Sequence, residues 1–384
     1  MTTRGVITIT RTMLAVPRGD AKSRDALAEI QGKRKGVFPL DQRLGLDVLP
    51  LKMTPKMMCA VAREAVRAKS YREATATILE RYRVRLSERT VRKVTDLVGR
   101  LVEEDDRRRG EEARKAIAAG FDRRTRRRRA DDVLYIEMDG AMVLTRDEGG
   151  KWRECKIGIV FASEDVREWK TAKGEVRRRI GAKRLVAHIG GGREFAELLL
   201  GVAHLYDYRR RAHVVVVTDA AEWIRLLVAE LFPEATHILD LAHVKEHVSE
   251  FSRLTGLAEA ERREWAGLVD ADIEEGRIDE ALGRIAPYRD VKLGEDDTNL
   301  YNYVEGHREM MRYDEYRAAG YFVGSGASES ANKYVMQNRM KLSGMRWSLA
   351  GGQSMVALKC RYEADRWDEV VEIVSDAYRV ALPE

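Results

Sequence analysis

Leu134-Tyr-Ile-Glu-Met-Asp139 reads as a buried β-strand that ends on a carboxylate, and His213-Val-Val-Val-Val-Thr-Asp219 repeats the pattern eighty residues on. Short apolar runs rich in β-branched and aromatic residues favour strands, and an aspartate at the end of such a run can leave the core. Outward from these two runs, the spacing predicts strands over 133–138 and 154–161, joined by a glycine turn at Glu148-Gly-Gly150, and a third strand over 184–189. A helix over 193–206, a strand over 213–218, a helix over 220–231 and a strand over 236–239 follow.

Three strands, a helix, a strand, a helix and a strand match the order of a ribonuclease-H-like mixed α/β sheet, where the first and fourth strands are neighbours. That order would bring Asp139 and Asp219 together. Glu329 follows a glycine-rich turn, Gly324-Ser-Gly-Ala-Ser-Glu329, and opens a predicted helix over 329–340. Two strand-end aspartates faced by a helical glutamate can hold two Mg²⁺ (or Mn²⁺) ions about 3.5–4 Å apart, an arrangement suited to phosphodiester chemistry. Each residue also has a plainer reading. Asp139 before Gly140 suits a turn, Asp219 suits an N-cap, and Glu329 suits the first turn of a helix.

With 384 residues, 44% of them apolar, the chain has room for two or three domains. No apolar run approaches the ~18 residues that a membrane span needs, and no signal peptide opens the chain, so a cytoplasmic protein without membrane attachment is expected. Cys59, Cys155 and Cys360 are too scattered for a disulfide framework or a cysteine zinc site. The net charge of +6 hides an arginine-rich stretch over 107–129, which includes Arg126, Arg127 and Arg128. Such a run suits either a polyanion, through bidentate phosphate contacts, or a solvated linker.

The expected organisation is an N-terminal arm over 1–50 with a short strand at Val6-Ile-Thr-Ile-Thr10, a helix-turn-helix domain over 51–106 and an Arg-rich linker over 107–130. The α/β core spans 131–243 and resumes over 324–384, interrupted by an all-α insertion over 244–323. Within the helical domain, Thr54-Pro55 and Ser87 mark helix starts, and helices are predicted over 56–69, 71–82 and 87–98. The last would offer Arg89, Arg92 and Lys93 to a DNA major groove, unless the unit is an ordinary helical hairpin with a charged outer face. A final amphipathic segment is expected over 354–380.

At this point the residues resemble prokaryotic insertion-sequence transposases of the DDE type, closest to the ISKra-type group and more distantly Mutator-like enzymes. The likeness is carried by Asp139-Gly140, Trp152-Arg-Glu-Cys-Lys156, Thr218-Asp-Ala-Ala-Glu-Trp-Ile224 and Ile238-Leu-Asp-Leu-Ala-His243. It continues through Gly324-Ser-Gly-Ala-Ser-Glu-Ser330, Arg339-Met-Lys-Leu-Ser-Gly-Met-Arg-Trp-Ser348 and Leu358-Lys-Cys-Arg361, so it spans roughly residues 131–361. The resemblance implies Asp139, Asp219 and Glu329 as a metal-binding catalytic triad, with Asp240 and His243 as an Asp-x-x-His signature in support. It also implies double-stranded DNA partners (terminal inverted repeats and target), a homodimer or larger synaptic complex, and a nucleoid-associated setting. One departure stands out: relatives often carry a Cys-rich zinc element near the N-terminus, and residues 13–25 hold neither Cys nor His. An inactivated or domesticated relative that binds DNA without cutting it is the alternative function.

Four further features complete the reading. Arg339, Lys341, Arg346 and Trp347 combine cations with an aromatic and suit a DNA-end contact, or else a solvated helix edge. His243-Val-Lys-Glu-His247 spells an inverted zinc-protease signature, but no third ligand accompanies it. Gly190-Gly-Gly192 lacks the Lys-Ser/Thr of a nucleotide loop and reads as a strand-to-helix turn. Trp223 is expected in the core, with stacking on an exposed base as the other possibility.

Overall fold

A computed structural model of the chain describes residues 14–15, 36–37, 49–120, 132–171, 174, 176–291 and 299–379. Two compact units emerge, one of residues 1–105 with 366–384 and one of residues 106–365. The expected strand at 6–10 and the arginines at 126–128 lie outside the described residues.

The first unit is helical. Helix α1 (Pro55–Arg67) starts with proline at its first position, and the Thr54 hydroxyl accepts the Met57 N–H at 3.3 Å. Helix α2 (Tyr71–Tyr82) is capped by Ser70, which accepts the Glu73 N–H at 3.1 Å, and it stops at Arg83 with φ 55°. Ser87 accepts the Thr90 N–H at 3.1 Å and starts α3 (Glu88–Ala118). Met57, Met58, Val61, Ile78, Val91 and Val94 form the buried face, and the C-terminal helix Trp367–Arg379 packs on α1. The helix expected to end at residue 98 instead runs on to Ala118, so Arg107-Arg-Arg109 is helical rather than part of a linker. Without a proline the helix has no obligatory stop, and Arg108 pairs with Glu112 one turn later at 2.7 Å.

The second unit is built on a five-stranded mixed sheet: β1 (Val133–Thr145), β2 (Lys151–Ala162), β3 (Arg184–Ile189), β4 (His213–Thr218) and β5 (Thr236–Leu239). Their order is β3-β2-β1-β4-β5. Strand β2 is antiparallel to β1 and β3, whereas β1–β4 and β4–β5 are parallel. Helices α4 (Gly192–Leu205) and α5 (Glu222–Leu231) cover one face, where Leu134, Ile136, Met138 and Val216 meet Phe195, Leu199, Ile224 and Leu227. Helix α4 crosses the second part of α3 so closely that a Cβ on Gly110 would lie 2.6 Å from the Glu197 carbonyl oxygen. Trp223 packs edge-to-face on Phe195 at 5.9 Å, in keeping with its expected core role.

Between β2 and β3 the chain forms a hairpin, Val166–Lys170 with Val176–Ile180, that the hydrophobic pattern does not announce. Val166-Arg-Glu-Trp-Lys170 and Val176-Arg-Arg-Arg-Ile180 lack the apolar alternation by which a half-buried strand is recognised.

After β5 the insertion is helical, as expected: α6 (Leu241–Ser252), α7 (Glu259–Glu274), α8 (Ile278–Ile285), α9 (Leu300–His307) and α10 (Tyr313–Ala318). The chain returns to the sheet through α11 (Gly326–Ala331), which passes into a π-helical turn over Asn332–Gln337, and then α12 (Leu349–Glu363). The segment expected as a helix over 329–340 is helical from Gly326 to Gln337, with its second half wound as a π-helix. The expected final segment is broken, because Asp365 takes φ 55° between α12 and the C-terminal helix. Among the described residues no helix is long and apolar enough to cross a membrane.

Candidate functional site

Strands β1 and β4 pair in parallel register from Val133↔His213 to Met138↔Thr218. Asp139 and Asp219 are the next residues along, so they leave the pairing as neighbours. Asp139 does not end its strand, however: β1 continues to Thr145 against β2, with Asp139 opposite Ile157. The carboxylate therefore sits where β4 stops and β2 goes on, held by one neighbour and uncovered by the other.

Alternation along β1 puts Tyr135, Glu137 and Asp139 on the face away from α4 and α5. Helix α11 is fastened to that face at two points. Ser328 N–H donates to Glu137 Oε2 at 2.8 Å, and Asn332 Nδ2 donates to Asp139 Oδ2 at 2.7 Å. Glu329 lies between these anchors in the chain; its side chain is exposed, and its charge reaches Glu137. The π-helical turn begins at the second anchor, and such turns recur where a helix must aim a side chain.

Burial raises the Asp139 carboxyl above its ordinary range. Hydrogen bonds from Asn332 and Gly140 act against this shift, the Asp219 charge adds to it and His243 opposes it. Asp219 Oδ1 accepts the Ala221 N–H at 3.0 Å in a turn before α5, whose N-cap is Ala221, so Asp219 is not the N-cap that its position suggested. Neither aspartate has an ion-pair partner among the described residues.

Asp240 is buried and ties the end of β5 to the turn before α11. Its Oδ1 accepts the Ala242 N–H at 2.8 Å, while Oδ2 accepts the Ser325 N–H at 3.1 Å and the Ser325 hydroxyl. His243 and His247 meet through their Nε2 atoms at 3.2 Å, and the Tyr303 ring lies tilted against His247 with ring centroids 4.7 Å apart. Burial pushes the Tyr303 phenol up, with the Asp219 and Asp240 charges adding to the effect.

The residues fit a divalent metal in one respect and fall short of a closed cage in another. Among the described residues no three Asp, Glu, His or Cys side chains are grouped closely enough to hold an ion. Mg²⁺ characteristically takes one or two carboxylates and completes its shell with water and substrate phosphate, so the Asp139–Asp219 pair supplies a suitable protein share.

Glu137 lies two residues before Asp139 and is 2% exposed, and burial drives its carboxyl up to about 8 against the pull of the Ser328 N–H. A lone acid inside an otherwise apolar strand was the signal that sequence reasoning passed over. Asn332 and Ser328 carried no comparable signal, since their partners are nearly two hundred residues away.

The basic residues expected to meet DNA separate into three sets. Arg89, Lys93, Lys341 and Arg346 are exposed. Arg92 is half-buried and pairs with Asp96 at 3.6 Å. Arg339 and Trp347 require correction: they are 2% and 8% exposed, with the guanidinium 5.0 Å over the indole and Trp347 Nε1 donating to the Met340 carbonyl at 3.2 Å. A covered stack of this kind packs the interior and presents nothing to a polyanion.

A family model described as an uncharacterised protein family (UPF0236) matches residues 28–373. No curated protein matches the chain.

Proposed function

The chain belongs to the UPF0236 family, and from the geometry of its sheet edge we propose that it is a DNA transposase, a divalent-metal-dependent polynucleotidyl transferase that cleaves and joins strands at insertion-sequence ends. The observation that carries the reading is the β1–β4 register, which sends two carboxylates out of the sheet together beneath a helix that bears a third. The strand order β3-β2-β1-β4-β5 with β2 antiparallel supports a ribonuclease-H-like core.

In this reading Asp139 and Asp219 would hold the metal, with Glu329 as the third carboxylate of the site. Bound Mg²⁺ would acidify the attacking hydroxyl and offset charge on the leaving oxygen during in-line displacement. Asn332 fixes the rotamer of Asp139 by donating to one of its oxygens. Asp240 holds the turn before α11 through Ser325, and His243 places its imidazole near enough for its charge to act on Asp139. Exposed Arg89, Lys93, Lys341 and Arg346 suit the duplex backbone, with a second copy of the chain completing the synaptic complex.

The test is Mg²⁺-dependent cleavage of duplex DNA carrying the inverted repeats that flank the gene. Asp139→Ala, Asp219→Ala and Glu329→Ala should each lower cutting about a hundredfold or more while binding persists. Normal cutting by all three variants would overturn the assignment. The exposure of Glu329 favours one second reading, a relative that binds DNA without cutting; wild-type protein that shifts the duplex but never nicks it would select that reading.

A further inference from the structure

A cavity of about 720 Å³ opens at Glu137 on β1, within the size range of sites that enclose a small molecule. Glu137 and Phe161 lie at its floor, Phe322 forms a wall, and Arg178, Arg179 and Lys183 contribute cations from the hairpin side. Three different chemistries meet there.

The aromatic part is a stack. Phe322 lies on Tyr135 at 4.6 Å between ring centroids, Tyr135 lies on Phe161 at 5.2 Å, and the Arg178 guanidinium sits 5.0 Å over the Phe322 ring. A guanidinium over a phenyl ring is a clamp for a third flat group, because nucleobases stack on both aromatic faces and arginine planes. Arg178 is exposed and pairs with Glu168 on the facing strand of the hairpin, outside the core, so its plane can lift from Phe322 without disturbing the core. The cations suit a phosphate. The Glu137 carboxyl lines the same cavity, with its Oε2 accepting the Ser328 N–H.

Position supplies the last element. Glu137 and Asp139 are alternate residues on one face of β1, about 7 Å apart along the strand, so the cavity lies within reach of a nucleotide next to the one at the carboxylates. We propose that the cavity receives a single unstacked nucleotide of the DNA strand presented to Asp139 and Asp219, its base against Phe322 and Arg178 and its phosphate toward Arg179 and Lys183. The inference rests on the DNA-processing reading above and adds to it a site that grips one displaced nucleotide. An unpaired strand end is the cheapest source of such a nucleotide, since no base pair is broken to supply it.

The experiment uses the full chain and a short duplex with a single-stranded 3′ tail that carries 5-iodouracil, a base that photo-cross-links to stacked aromatic rings. Irradiation should join the tail to the peptide containing Phe322. Arg178→Ala, at an exposed site, and Ser330→Leu, which fills the cavity from α11, should each reduce that cross-link about tenfold, with duplex binding unchanged in a gel shift. Bound DNA whose cross-links map elsewhere would overturn the cavity while leaving the transposase reading in place. Absence of any DNA binding would overturn both.

Discussion

The sheet edge around Asp139 and Asp219 and the returning segment from Gly324 to Ser348 hold the two halves of the same candidate site, yet the chain specifies them in different ways. At the sheet edge, position follows from register: once β1 and β4 pair, every side chain beyond Met138 and Thr218 has a determined neighbour. In the returning segment a six-residue helix passes into a π-helical turn, and each side chain goes where packing sends it. Glu329 ends up exposed, while Arg339 and Trp347 are buried. Carboxylates on strands are placed by the backbone, whereas those on short helices are placed by whatever fastens the helix.

Neutralising the strand carboxylate gives the widest expected contrast between the two regions. Asp139→Asn should reduce Mg²⁺-dependent cutting about a hundredfold with the thermal midpoint unchanged, since Asp139 is half-buried and has no ion pair among the described residues to lose. Arg339→Ala should do the reverse. Removing a covered guanidinium from above Trp347 should cost about 2–3 kcal/mol in chemical denaturation, with DNA binding per folded molecule intact. A variant of Arg339 that folds normally but loses DNA binding would erase the distinction.

The tether between the regions should respond to pH. The Glu137 carboxyl lies near 8 when folded against an ordinary 4.5, so from about pH 4.5 to about 8 the folded protein keeps a proton that the unfolded chain has released. Its contribution to stability is fully present below 4.5 and is lost as pH rises through 8. Glu137→Gln, which keeps an acceptor for the Ser328 N–H and cannot ionise, should therefore gain stability relative to wild type between pH 5 and pH 8, as measured by urea midpoints. His237 works in the opposite direction: burial lowers it to about 4 from an ordinary 6.5, so its contribution is lost as pH falls through that window, in wild type and variant alike.

Smaller effects test the remaining side chains. Asn332→Ala removes the donor that lowers the Asp139 carboxyl, so the acidic limb of the activity profile should move to higher pH. Arg89→Ala with Lys93→Ala should weaken binding evenly across sequences and lessen the salt dependence by about one log unit for each phosphate no longer neutralised. A weakening confined to one sequence would instead place these residues on base edges.

Most of the five-stranded sheet was legible because its strands are apolar runs of strand length bounded by turns, and 184–189, 213–218 and 236–239 fall on the residues expected. The hairpin over 166–180 was not legible, because a charged ribbon has no hydrophobic period to detect. Helix α3 overran its expected end because nothing in the sequence requires a stop before Ala118. Within the candidate site, the two aspartates could be read from the ends of apolar runs, although β1 continues past Asp139, while Glu137 was concealed by being an acid where an apolar residue was expected.

Local chemistry alone determined the alternation of strands and helices, the caps at Thr54, Ser70 and Ser87, and the presence of two aspartates at the ends of apolar runs. These depend on interactions a few residues long, which composition and spacing encode directly. Only the folded chain decided that Asn332 would hold Asp139, that Ser328 would meet Glu137, and that Arg339 would lie against Trp347 instead of facing solvent. The Asn332 and Ser328 hydrogen bonds join residues nearly two hundred positions apart, and the Arg339 stack depends on how the returning segment is buried. Such pairings form when packed elements exclude water around particular side chains, and the periodicity of a single segment carries no record of what will pack against it.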